Sequence, residues 1–301
     1  MIARFGLLLI ALAAAAPAQA QDRCEGLSIA RLIEPRSPAY SDLDGVDEPI
    51  RLTVSRRTDR NACNFFINFV SETGGGRERF LTGPQTRLRY ELIDESGRVL
   101  ENTTRGRDRL SARLARNETE LELTVRLSIP AGQTVAAGDY AERVAVRLFD
   151  RRGGGRLSDE VGVSLRTRVD SRAEINLARQ PGLGFDAGRS YDVVDFEELE
   201  TGESRAIVLR VRANAAYRLT LTSENAGALV RAGPGRSQRI AYAARLDGRA
   251  VDLTGPALVL RDPLGAGASE ELIFDVTIAE IGAATAGDYA DLVTVYVEPV
   301  R

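Results

Sequence analysis

Histidine, tryptophan and lysine are missing from this 301-residue chain, and methionine occurs once. Without histidine the commonest general base and the commonest metal ligand are gone. A Ser–His–Asp triad, a zinc site built on histidine and a haem held by histidine are therefore excluded. All 40 cationic side chains are arginine, which we read as the mark of GC-rich coding rather than of an arginine-specific function. The formal net charge is only −3, too balanced for bulk attraction to nucleic acid or to an anionic membrane. Cysteine occurs twice, as Cys24 and Cys63, and neither has a partner at metal-ligand spacing. Beyond the first residues no apolar run is long enough to span a bilayer.

The first residues read as an export signal. Arg4 supplies a basic start, Phe5 to Ala16 a short apolar run, and Ala18-Gln19-Ala20 a small-x-small cleavage site. Residues 1–20 are thus expected to be removed, leaving Gln21 first. In an oxidising compartment Cys24 and Cys63 should pair. Closing that loop contributes roughly 4 kcal/mol in the chain-entropy account. The second half has no cysteine and must hold together by packing.

What is present is alternation, and it occurs twice. Ala137-Gly138-Asp139-Tyr140-Ala141 returns as Ala286-Gly287-Asp288-Tyr289-Ala290. Val144, Val146 and Leu148 follow the first copy; Val293, Val295 and Val297 follow the second. Upstream, Leu121, Leu123, Val125 and Leu127 parallel Leu272, Phe274, Val276 and Ile278. Tyr90, Asp94, Gly97 and Val99 parallel Tyr242, Asp247, Gly248 and Val251. Phe65, Ile67 and Phe69 parallel Tyr217, Leu219 and Leu221. Several weak matches in one order indicate duplication. A period of two over short runs means half-buried antiparallel strands. Turn chemistry separates them: Gly74-Gly75-Gly76, Ser96-Gly97, Gly153-Gly154-Gly155, Asp247-Gly248 and Gly265-Ala266-Gly267. The expected fold is all-β, two tandem immunoglobulin-like antiparallel sandwiches over residues 21–169 and 170–301. Helix signals are sparse; Arg107 to Arg116 reads equally as a helical turn or an exposed loop.

The two copies differ at their ends. Val161, Val163, Leu165, Thr167 and Val169 make one strand more than the repeated motif, long enough to run back and complete the first sandwich. Ala173, Ile175 and Leu177 then open the second. After Val297 only Glu298, Pro299, Val300 and Arg301 follow, so the second sandwich is expected to lack its last strand. A missing strand exposes an edge and a strip of core, which invites a strand from another chain.

These residues resemble the spore coat protein U-like pilin domain of archaic chaperone–usher fibres. The resemblance rests on the two Ala-Gly-Asp-Tyr-Ala motifs followed by Val-x-Val, Ala137 to Val146 and Ala286 to Val295. Ile129-Pro130-Ala131-Gly132-Gln133, Asp195-Phe196 to Gly202, and Asn214-Ala215-Ala216-Tyr217 are similar to that family as well. It covers nearly the whole chain after the signal, once per half. It implies an incomplete immunoglobulin-like pilin that takes a strand from a periplasmic chaperone, then from a neighbouring subunit, at an outer-membrane usher. A tip subunit of such a fibre only accepts a strand and carries an additional N-terminal domain, and this chain is similar to that pattern. The second half departs from the family in lacking its usual cysteine pair. The groove residues implied are Ile175, Leu177, Val293, Val295 and Val297. Gly138, Tyr140, Gly287 and Tyr289 are read as structural, each tyrosine anchoring its hydroxyl to nearby backbone at a sandwich corner.

Other clusters carry blander readings. Asp42, Asp44, Asp47 and Glu48 lack the spacing of a calcium loop and read as a solvated loop. Asp195, Glu197, Glu198 and Glu200 read as a charged strand edge. Arg105, Arg107, Arg109, Arg113 and Arg116 could meet acidic groups, but Asp108 and Glu118 dilute them. The glycine triplets lack the setting and the lysine of a phosphate loop. No catalytic residue, cofactor or metal is expected. The expected role is a structural or adhesive fibre subunit, exported through the periplasm to the cell surface. The alternatives are a secreted or periplasmic two-domain module that binds a glycan or protein, and a periplasmic chaperone.

Overall fold

The computed structural model describes residues 24–41, 43–58, 61–72, 78–102, 109–151, 155–178, 190–233, 238–264 and 268–300. The export signal, Gln21, Asp42, Arg105, Arg107, Asp108 and most of the glycine triplets lie outside the described residues. Among the described residues every regular element is a strand. The chain is all-β, and it forms two sandwiches in tandem.

The first sandwich uses β1 (Ser28–Ile33), β2 (Ala39–Tyr40), β3 (Val46–Ser55), β4 (Cys63–Ser71), β5 (Arg79–Thr82), β6 (Arg87–Asp94), β7 (Leu110–Leu114), β8 (Glu120–Ile129), β9 (Gly138–Asp150) and β10 (Arg156–Val169). One layer runs β1-β3-β8-β6 and the other β7-β4-β9-β10, with β5 bridging β6 to β9. Strands β1, β3, β8, β6 follow the A-B-E-D order of an immunoglobulin domain, and β4, β9, β10 follow C-F-G. Alternation puts Ile50, Leu52, Val54, Leu88, Tyr90 and Leu92 inward from one layer. Phe65, Ile67, Phe69, Val144, Val146, Leu148, Val163 and Leu165 meet them from the other. Cys63 shares the inward face of β4 and bonds Cys24, with their Cα atoms 5.5 Å apart.

The second sandwich uses β11 (Ala173–Ala178), β12 (Ser204–Ala213), β13 (Tyr217–Ser223), β14 (Ala228–Arg231), β15 (Arg239–Leu246), β16 (Arg249–Val251), β17 (Ala257–Arg261), β18 (Ser269–Ile278), β19 (Tyr289–Ala290) and β20 (Val293–Pro299). Its first layer, β11-β12-β18-β15, repeats β1-β3-β8-β6. Its second, β17-β13-β20, repeats β7-β4-β9 and stops there. Among the described residues nothing stands where β10 stands in the first sandwich.

Three sequence expectations need correction. The stretch read as helical turn or loop contains strand β7, which pairs with β4 through Phe66↔Ser111 and Ile67↔Leu110. Leu110 and Leu114 are both buried; residues four apart share a face in a strand as well as in a helix. The match between β8 and β18 is displaced by two. Leu92 lies opposite Leu127, while Ala244 lies opposite Val276. With Tyr90 and Tyr242 as counterparts, Leu123, Val125, Leu127 and Ile129 therefore correspond to Leu272, Phe274, Val276 and Ile278. A shift of two keeps every side chain on its face, so periodicity cannot detect it. Finally, Asp195, Glu197, Glu198 and Glu200 occupy an irregular segment, not a strand edge. Glu197 has φ 55 there, its amide donates to Asp195 Oδ1 at 2.8 Å, and Phe196 between them is buried against the second core.

Candidate functional site

In the first sandwich β10 lies antiparallel along the whole of β9, from Arg156↔Asp150 to Val169↔Gly138. Its far edge is tied down too. Asp159 Oδ2 accepts from the Ile29 amide at 2.8 Å, Glu34 Oε1 accepts from the Ser164 amide at 3.0 Å, and β2 adds a short parallel pair. The β9 side chains beneath it, Val144, Val146 and Leu148, are each 0 % exposed.

The counterpart strand β20 is paired on one side only. It runs against β13 from Tyr217↔Pro299 to Ser223↔Val293, and its other edge has no partner strand among the described residues. Val293, Val295 and Val297 match Val144, Val146 and Leu148, yet they are only half-buried. Across the gap β11 approaches β20 to within 8 Å between Cα atoms. Ile175 and Leu177 on β11 are half-buried as well, more open than their neighbour Asn176 at 2 %. An alternating strand should bury its apolar face better than its polar one; here the apolar face is the one left uncovered. The five residues read as a groove thus sit on the two strands that flank the open edge.

Just before β20 the chain turns a corner that is present in both copies. The Tyr140 hydroxyl donates to the Ala136 carbonyl at 2.7 Å, and the Tyr289 hydroxyl to the Thr285 carbonyl at 2.8 Å. Gly138 precedes the first tyrosine with φ 140, and a Cβ there would come within 2.8 Å of Pro84. Gly83 has a stricter reason to lack a side chain, since its Cβ would fall 2.3 Å from the Tyr140 ring. Gly287 takes the equivalent place before Tyr289 with φ 156. Tyr140 is fully buried, whereas Tyr289 remains half-buried. Strand β9 is continuous past its corner; the equivalent stretch is broken into β19 and β20 at Asp291 and Leu292.

A second duplicated feature has no signature in the alternation. Glu142, buried in β9, accepts hydrogen bonds from the Ser71 and Tyr90 hydroxyls. Asp291 repeats this: the Ser223 hydroxyl donates to Oδ2 at 2.6 Å, the Tyr242 hydroxyl at 2.5 Å, and the Asn225 amide donates to Oδ1 at 2.9 Å. Burial first, then the neighbouring carboxylate, raises the pKa of both Tyr90 and Tyr242 far above the ordinary tyrosine value. Both phenols therefore stay protonated donors. Matching carboxylates at the same place in the repeat, each after a shared Tyr-Ala, were the available sequence signal.

Among the described residues no group of three or more metal-ligating side chains comes together. Of the acidic stretch read as a solvated loop, Asp47 and Glu48 lie in strand β3, where Asp47 pairs with Arg126 at 3.2 Å; Arg109 lies 3.9 Å over the Phe66 ring, which stacks on Phe149.

Neither a family model nor a curated protein matches this sequence. Solved structures do match in fold. One is a chain of the CsuC–CsuE chaperone–tip adhesion subunit pre-assembly complex of the archaic chaperone–usher Csu pili of Acinetobacter baumannii. It is 16% identical, with 88% of this chain and 99% of that chain covered and a TM-score of 0.40. The CupB6 tip adhesin of Pseudomonas aeruginosa is 12% identical over 90% of this chain and 94% of its own, at 0.41. A variant of the CFA/I adhesin CfaE of enterotoxigenic Escherichia coli is 13% identical over 92% and 81%, at 0.40. At these scores the likeness says nothing about function, which is read from this chain's own geometry.

Proposed function

We propose that this chain is a non-enzymatic subunit of a chaperone–usher surface fibre, and that its second sandwich is completed by a strand from another protein. One observation carries this. The same fold occurs twice in one chain, once with its last strand paired along β9 and once with no partner strand, among the described residues, on the equivalent edge of β20. A bare sheet edge beside half-covered valines is what strand addition repairs. In the first sandwich the closing strand β10 is bound on both sides, so that strand is not free for a neighbour. On this reading the chain accepts a strand at β20, as a subunit at the tip of a fibre would. In transit the strand would come from a periplasmic chaperone, and after passage through the outer-membrane usher from the neighbouring subunit. Export and delivery to the cell surface belong to the same proposal, as does the removal of residues 1–20.

Supplying the strand in cis tests this. A flexible linker and an alternating apolar strand are appended after Arg301, and the product is compared with the native chain by sedimentation and chemical denaturation. The expected result is that the native chain self-associates and the second sandwich unfolds early, while the extended chain is monomeric and its second transition moves up. A native chain that is monomeric, cooperative and indifferent to the added strand would instead favour a complete two-domain binding module.

A further inference from the structure

The bare strand differs from its counterpart on the outer face of the sheet as well as on the inner one. In the first sandwich two of the outward residues of β9 that meet β10 are arginines, while Ala145 opposite Gly162 and Phe149 opposite Leu157 share that face and have Thr294 and Glu298 as counterparts on β20. Arg147 lies opposite Glu160 and pairs with it at 2.9 Å. Arg143 lies opposite Ser164 and reaches across Gly162, whose added Cβ would come within 3.0 Å of its Nε. The equivalent positions on the second copy are Tyr296 for Arg147 and Leu292 for Arg143. Both are exposed, 60% and 50%. Two further outward positions change in the same sense on β17. Leu258 and Leu260, 64% and 67% exposed, stand where Arg109 and Ser111 stand beside β4. Three arginines and a serine in the self-closed copy are thus replaced by three leucines and a tyrosine in the open one.

A closing strand touches outward residues as well as inward ones, because directly opposed side chains on one face of a sheet are neighbours. Arg143 and Arg147 are matched by Gly162, Ser164 and Glu160 in the strand that covers them. Leu292 and Tyr296 offer no charge to match. A strand shaped like β10 would place a glutamate against Tyr296 and forfeit its ion pair.

From this contrast we infer that the strand accepted by β20 is apolar inward, to fill the groove over Val293, Val295 and Val297, and is apolar as well at the two outward places opposite Leu292 and Tyr296. The inference rests on the strand-accepting reading and adds the chemistry of the partner segment. The incoming segment carries aliphatic or aromatic residues at the two outward places that Ser164 and Glu160 fill in β10. At those two places the polar outward residues of β10 do not describe this partner.

Two synthetic peptides and the full chain test the inference. One peptide has the 14-residue sequence of β10; the other has the same sequence with valine at the places of Glu160 and Ser164. Binding to the native chain and to its Tyr296→Arg variant is followed by fluorescence anisotropy, with circular dichroism to verify the variant's fold. Two outward cross-strand pairs are worth roughly two- to thirty-fold in affinity. The valine peptide is expected to bind the native chain about tenfold tighter, within that range. The Tyr296→Arg variant should narrow or reverse the ranking, because it restores a partner for the glutamate. Equal affinities, or a native preference for the glutamate peptide, would overturn the inference and leave the strand-accepting groove intact. If neither peptide bound, the groove itself would be refuted and the inference with it.

Discussion

Matched truncations in the two copies measure how open the second one is. Val146 and Val295 hold the same place on counterpart strands, and each lies over its sandwich core. Val146 is 0 % exposed beneath β10, while Val295 is half-buried at the bare edge. Valine to alanine deletes two carbons, at about 0.8 kcal/mol each when buried, and leaves a small cavity besides. Val146→Ala should therefore cost about 2–3 kcal/mol. Val295→Ala should cost about 1 kcal/mol in the chain alone, since part of the transfer term is already lost to water and an open site leaves no sealed cavity. Once a strand covers the edge, Val295 acquires the environment of Val146 and its truncation should cost as much. The difference, about 1–2 kcal/mol, must reappear as a roughly five- to thirtyfold weaker affinity of Val295→Ala for the strand. Chemical denaturation with separate probes for each sandwich gives the stabilities, and a titration with a closing peptide gives the affinity. Equal costs in the strand-free chain, or a strand affinity untouched by Val295→Ala, would refute the idea that β20 awaits cover.

Four further outcomes follow from the geometry. Reducing the Cys24–Cys63 bond should lower the first sandwich by up to about 4 kcal/mol and leave the second transition unmoved, as two-probe denaturation would reveal. Tyr90→Phe and Tyr242→Phe should each cost about 1–3 kcal/mol, because Glu142 and Asp291 lose a donor in a place with little water; a loss in only one copy would show that the duplicated network is not equivalent. Tyr217→Phe should be neutral or stabilising by about 1 kcal/mol, since its hydroxyl is buried with no hydrogen bond and Phe65 already fills that place in the first copy. For Asp94, burial pulls the pKa up, but hydrogen bonds from Ser96 and Arg98 outweigh it and hold the carboxyl below its usual value. A depressed folded pKa stabilises above the unfolded value of about 3.9, and that contribution fades as pH falls through the lower folded pKa. Asp94→Asn should flatten the acid limb of the first sandwich's stability profile.

The local chemistry of the chain was legible from residues alone. Val144, Val146 and Leu148 repeat every second position, as do Val293, Val295 and Val297, and that period admits a strand and excludes a helix. The corner tyrosines were visible because Gly-Asp-Tyr recurs around them. Leu110 and Leu114 were not assigned because five residues with apolar ends satisfy a strand and a helical turn alike. Asp291 was passed over because a lone acidic residue in an alternating run looks solvated. Only the approach of Ser223 and Tyr242, from two other strands, shows that it is held.

The sequence by itself determined the predominance of strands, the duplication and the face on which side chains of the alternating runs lie, since all three depend on the order of neighbours along the chain. Only the tertiary structure decided which strands pair, in what register, and which edge is left bare. Alternation is the same after a shift of two residues, and it does not name a partner. The pairing of β10 with β9, and the half-covered state of Val293, Val295 and Val297, arise from contacts between segments far apart in sequence. The same long-range contacts place Leu292 and Tyr296 on the outer face of that bare edge, where the first copy carries arginine.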